Sequence, residues 1–180
     1  FSLLITNCNL LNAQVAFEIR ENASNSVAIS GSSTLHDWVM KTTAFRGIAQ
    51  FEFNSGTELI GIHTLDFALP AAKLKSGKRA MDTRAWKTLK SDTFKEITYK
   101  LSSSKLMSEK EDFAQLKTVG LLTIAGVSKE VKIDLYCRSS KDGSINCQGN
   151  YKLKMTEFDV EPPFYMDGLL SAGEAVNLDF

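Results

Sequence analysis

The 180-residue chain reads as an all-β protein: an antiparallel sheet closed into a barrel and interrupted by one short helix. Three observations predict this. Most of the chain alternates apolar and polar residues with period two, the pattern of half-buried strands. Between residues 75 and 101 the period changes, because Met81, Ala85 and Leu89 fall at i, i+4 and i+8 with Trp86 beside them. Eleven phenylalanines add large apolar area without polar tips, as a core or a lipid cavity requires.

Candidate strands cover residues 15–20, 27–32, 37–42, 44–53, 58–69, 96–104, 113–124, 130–139, 144–155 and 174–180. Turn signals separate them: Asn54-Ser55-Gly56, residues 108–112, Ala125-Gly126, Asp142-Gly143 and Pro162-Pro163. Phe45, Phe51 and Phe53 share a face, as do Leu65, Phe67 and Leu69, and Val176, Leu178 and Phe180 make the last. Short connections predict hairpin neighbours, and a long antiparallel sheet removes its exposed edges by closing on itself. An eight-stranded closed sheet is just wide enough to hold a small or elongated ligand. The helix, with Met81 and Trp86 on its buried side, is expected as a lid or plug. No linker, repeat or low-complexity stretch divides the chain, so one domain is expected over residues 14–180.

Phe1, Ser2, Leu3, Leu4, Ile5 and the apolar residues up to Leu11, followed by Asn12-Ala13-Gln14, read as the tail of a secretory signal peptide cleaved after Ala13. Residues 1–13 are therefore expected to be a leader remnant, and the protein to be periplasmic or secreted. The cysteines bear on the same point. The apolar sets Val131, Ile133, Leu135 and Ile145, Tyr151, Leu153 are all odd-numbered, so only a turn with an odd residue count aligns them. A Lys141-Asp142-Gly143 loop with left-handed Gly143 does so and sets Cys137 directly opposite Cys147. In an oxidising compartment these two form a disulfide; otherwise they are two small buried thiols.

Basic and acidic residues balance at 21 each, which removes any global field for nucleic acid. Two histidines and three cysteines are too scattered for a zinc cluster, so no metal or other cofactor is expected. His36-Asp37 near Ser33 lacks a nucleophile elbow and does not make a hydrolytic triad; a histidine bonded at the barrel rim is expected. His63 shares the apolar parity of Leu65 and Phe67 and reads as a satisfied interior histidine or a head-group contact. Ser76-Gly77-Lys78-Arg79 is not a phosphate loop, because Ala72 stands where the first glycine belongs. Lys75, Lys78, Arg79 and Arg84 read as a solvated helix face or as attraction for a phosphate head group. Asn22-Ala23-Ser24 matches a glycosylation triplet, a weakly specific pattern.

Four segments resemble the YceI family of secreted bacterial lipocalin-like proteins. Gly31-Ser-Ser-Thr-Leu-His-Asp-Trp38 is similar to the S-T-L-H-D-W opening of one branch. Leu74-Lys-Ser-Gly-Lys-Arg-Ala-Met-Asp82 through Leu89-Lys90 resembles the family's helix, and Phe94-Lys-Glu-Ile-Thr-Tyr99 its F-P-x-I-x-F strand. Leu121-Leu-Thr-Ile-Ala-Gly-Val-Ser-Lys129 resembles its L-T-I-x-G-x-T-K hairpin. Lys95 replaces the usual proline and Ser128 the usual threonine, both at positions that are not apolar. The resemblance implies an extended lipocalin-like barrel that sequesters a polyisoprenoid or similar amphiphile, without shared catalytic residues. The expected cavity residues are Trp38, Phe51, Phe53, Phe67, Met81, Trp86, Ile97 and Tyr99, each equally readable as core packing. The alternative is an interaction domain whose barrel is filled by its own side chains. The sequence leaves open whether two chains associate as a homodimer.

Overall fold

The computed structural model describes residues 13–19, 25–55, 58–110, 113–165 and 170–180. Residues 1–12, which hold most of the expected leader, and Asn22-Ala23-Ser24 lie outside the described residues. Eleven strands are found there: β1 Ala13–Ile19, β2 Val27–Ser33, β3 Trp38–Thr42, β4 Arg46–Phe53, β5 Leu59–Pro70, β6 Glu96–Lys110, β7 Phe113–Ile124, β8 Val127–Ser139, β9 Ile145–Lys154, β10 Phe164–Tyr165 and β11 Leu170–Asp179. Among the described residues a single α-helix, α1 Arg79–Thr88, lies between β5 and β6. Ala13, expected in the leader, opens β1 opposite Phe53 of β4.

All ladders are antiparallel, and the sheet runs β1-β4-β5-β6-β7-β8-β9-β11-β2-β3, with β10 paired to β11 alone. The sheet curls into a lipocalin-like barrel. Among the described residues β1 and β3 do not pair with each other, so the pairing path stays open where full closure was expected. The outer edge of β3 is instead met by one bridge, in which Lys41 and Lys75 exchange backbone bonds of 2.7 and 2.9 Å. The segment leading into α1 thus covers part of an edge that would otherwise offer free N–H and C=O groups.

Side-chain alternation sets the interior. Along β7 the inward positions are Ala114, Leu116, Thr118, Gly120 and Leu122; along β8 they are Val131, Ile133, Leu135 and Cys137. β8 and β9 pair in the expected register, with Cys137 opposite Cys147 and the two sulfurs bonded. Their turn has Gly143 at φ 84°, where its N–H and that of Ser140 bond to Ser140 and Ser144 carbonyls. Two buried clusters result. The larger lies inside the barrel around Phe51, Leu116, Leu122, Ile133 and Phe158. The smaller, Val27, Met40, Leu69 and Leu74, receives Met81, Ala85 and Leu89 from α1.

α1 begins without a side-chain cap at Lys78. Asp82, in the first turn, reaches back to Ser76, whose N–H and hydroxyl both donate to its Oδ1 at 2.7 Å. A carboxylate near the helix start also suits the positive end of the helix dipole. Together these bonds hold the Asp82 carboxyl below the usual carboxylate range.

Candidate functional site: the cavity of the barrel

The interior is not filled. A cavity of about 1310 Å³ runs between the barrel wall and the inner face of α1. Six of the eight expected residues line it: Trp38, Phe51, Phe67, Met81, Ile97 and Tyr99. Phe53 and Trp86 lie outside its lining. Phe53 has the inward parity but stands opposite Ala13 and Leu59, where it packs into the barrel core. Trp86 turns away from the cavity because its indole N–H donates to the Leu74 carbonyl at 3.0 Å. Its ring also carries the Lys75 ammonium 4.0 Å from the centroid, a cation–π contact.

Much of the remaining wall was unassigned in the sequence: Ala49, Ile62, Leu74, Leu122, Ile133 and Leu135 all contribute. For β8 the signal was present, since period two placed Val131, Ile133 and Leu135 on one face, and the same alternation along β7 marks Leu122. Phe158 and Val160 could not be read this way. Phe158 ends a short 3₁₀ turn, Met155–Phe158, and Val160 follows it, so neither belongs to a strand with period two.

His63 does not take the interior place its parity predicts. It is exposed, with Nδ1 3.3 Å from a carboxylate oxygen of Glu52. The cause is a bulge: Gln50 pairs with Thr64 but Phe51 pairs with Ile62, so the extra residue His63 loses its place on the inward face. His36 and Asp37 lie in the β2–β3 turn rather than on a strand. There Ser33 Oγ donates to the His36 carbonyl at 2.7 Å and accepts the N–H groups of Leu35 and His36. Leu35, 69 % exposed, and His36 line the rim, so the cavity reaches solvent beside this turn.

One polar chain crosses the apolar wall. The Tyr99 hydroxyl donates to Thr118 Oγ1 at 3.2 Å, and Thr118 donates to the Ile133 carbonyl at 2.9 Å. Both side chains are buried, and burial pushes the Tyr99 phenol above its ordinary value. The pair leaves the wall without an unsatisfied hydroxyl. The Tyr99 ring needs the bare backbone of Gly120: a Cβ there would sit 2.5 Å from the ring and 2.6 Å from the Lys100 carbonyl oxygen. Trp38 lies against Gly31 in the same manner and donates its indole N–H to Ser32 at 2.9 Å. Lys78 and Arg84 bring positive charge to the wall where α1 begins and turns.

Fold and interior together define a lipocalin-like barrel protein with a large internal cavity. The chain belongs to the YceI-like domain family, whose model matches residues 12–180. Solved structures share the fold. The Burkholderia cenocepacia protein BcnA superposes with a TM-score of 0.65 over 89 % of this chain and 97 % of its own, at 14 % identity. A polyisoprenoid binding domain from Saccharophagus degradans, implicated in plant cell wall breakdown, gives 0.59 over 86 % and 89 %, at 12 % identity. The Campylobacter jejuni YCEI protein gives 0.54 over 74 % and 77 %, at 22 % identity. A search of curated proteins found no match. Among the described residues, no helix is long and apolar enough to cross a membrane.

Proposed function

We propose that this protein binds a long-chain polyisoprenoid or similar amphiphile inside the barrel and carries or sequesters it without chemistry. The observation that carries the reading is the apolar cavity of about 1310 Å³. That exceeds the several hundred Å³ of an ordinary ligand pocket. At roughly 30 Å³ per non-hydrogen atom, close to the share of a water molecule, it has room for about 40 such atoms, or about eight five-carbon units. Each methylene moved out of water contributes about 0.8 kcal/mol, so partial burial of a prenyl tail suffices for tight binding with few polar contacts. The similarity in fold to a polyisoprenoid binding domain supports the same ligand class. A barrel filled by its own side chains would leave no such space.

Native mass spectrometry of the purified protein, before and after adding a prenyl lipid, tests this reading. A retained amphiphile or one-to-one uptake is expected. Protein that holds none and takes up none overturns it. The proposal extends to export into the periplasm or medium, supported by the leader-like N-terminal residues and the bonded Cys137–Cys147 pair, a bond that persists in oxidising compartments. Cell fractionation with alkylation before reduction checks this; cytoplasmic protein with both thiols alkylated would refute it.

A further inference from the structure

The charge balance of the whole chain conceals a strong local asymmetry. Residues 73–90 hold seven lysines or arginines and one carboxylate, Asp82, so this tenth of the chain carries a net charge of +6. The rest, with fourteen bases and twenty acids, carries −6. All seven cations are exposed, from Lys73 and Lys75 through Arg79 and Arg84 to Lys87 and Lys90. The one carboxylate is buried and occupied by Ser76. The outward face of α1 and its flanking turns is therefore cationic, while its inward face, through Met81 and Ala85, forms the cavity wall. Lys41, exposed and bridged to Lys75, extends the patch onto β3. Phe94, 37 % exposed, follows the helix directly, its N–H donating to the Lys90 carbonyl at 2.8 Å. Several cations with an adjoining exposed aromatic are what an anionic lipid–water interface recruits.

We propose that the cationic face of α1 docks the protein on an anionic phospholipid bilayer. The occupant is a membrane surface rather than a soluble anion, because the charges spread over an exposed face of ten helical residues and both flanking turns instead of converging on one point. Docking holds the helix-covered side of the cavity against the bilayer, so an apolar ligand passes between membrane and barrel without crossing water. This last step rests on the cavity being a lipid site, whereas the docking itself does not.

The test is co-sedimentation with vesicles of phosphatidylcholine alone and of phosphatidylcholine with about one-third phosphatidylglycerol. Wild-type protein is expected to bind the anionic vesicles, to release them at high salt, and to ignore the neutral ones. The triple variant Lys73→Gln, Arg79→Gln, Lys87→Gln removes three charges from residues that do not line the cavity. With about a five-fold effect per charge near an anionic surface, it should bind roughly 100-fold more weakly. Its thermal midpoint and its uptake of prenyl lipid, read by native mass spectrometry, should match wild type. Equal binding to both vesicle types, or a variant that binds as wild type does, overturns the proposal. So does a wild type that ignores vesicles while binding duplex DNA, or while losing prenyl-phosphate uptake in the variant. Salt-sensitive vesicle binding with no prenyl uptake by any form would leave docking standing and refute the lipid-carrier reading alone.

Discussion

Met81 and Trp86 lie on the same helix yet should answer differently to truncation, and the difference separates cavity wall from scaffold. Trp86→Ala removes a half-buried indole, its 3.0 Å bond to the Leu74 carbonyl and its contact with Lys75. Loss of a fully buried Trp costs about 3–5 kcal/mol, so a half-buried one costs about 2. The hydrogen bond adds about 1 and the cation–π contact about 0.5, for a total of about 3–4 kcal/mol. In a chain of this length that lowers Tm by about 6–16 °C. Met81→Ala removes a half-buried, flexible side chain that faces an existing void, at a cost of about 1–2 kcal/mol. Its larger effect should be on the ligand, because it widens the cavity beneath the helix. Urea unfolding gives the stabilities, and native mass spectrometry gives the distribution of bound prenyl chain lengths. Trp86→Ala should be destabilised with an unchanged chain-length preference among its folded molecules, and Met81→Ala only slightly destabilised with a shift toward bulkier ligands. The opposite assignment, with Trp86→Ala stable but altered in ligand preference, would refute the placement of the two side chains.

Three further outcomes follow from the same geometry. Gly120→Ala should destabilise by about 2–4 kcal/mol in urea unfolding, since its Cβ meets both the Tyr99 ring and a backbone oxygen and breaks the Tyr99–Thr118 bond; a loss under about 0.5 kcal/mol would contradict the close approach. The Asp82 carboxyl lies below its ordinary value when folded, so its stabilisation is complete above about pH 4 and is lost as pH falls through the folded value. Asp82→Asn should therefore cost about 1 kcal/mol at neutral pH and progressively less as acid protonates the folded carboxyl, and a deficit that does not shrink at all on acidification below the ordinary carboxylate range would count against this role. Ala49→Phe places about six ring atoms, roughly 180 Å³ at about 30 Å³ each, into the cavity wall, so the longest prenyl chain retained should shorten by about one five-carbon unit; an unchanged length profile would show that ligand does not reach Ala49.

How much was legible in the sequence varied with the locality of the signal. The β8–β9 register followed from parity and a local turn signal: odd apolar positions on both strands require an odd turn, and one centred on Asp142 with Gly143 left-handed set Cys137 against Cys147. The amphipathic face of α1, Met81, Ala85 and Leu89, was equally local and packs where its period requires. His63 shows where parity fails. One bulged residue in β5 shifts the alternation, and nothing in the local composition marks it, because a bulge is fixed by the pairing with β4. Trp86 shows a different gap: a large apolar residue beside the buried face of a helix is captured by a carbonyl twelve residues upstream, a partner that only the folded chain brings near.

Sequence by itself determined that this is a β protein with one helix, which positions alternate inward, which family it resembles and where two cysteines meet. Each of these depends on residues a few positions apart or on patterns that recur along a strand. Tertiary structure alone decided that, among the described residues, β1 and β3 do not pair, that Phe53 is filler while Phe51 is wall, and that about 1310 Å³ stays unfilled. A void is the space left among side chains from strands far apart in sequence. Its volume depends on how strongly the sheet curls and on where α1 comes to rest, and neither is encoded in any single segment.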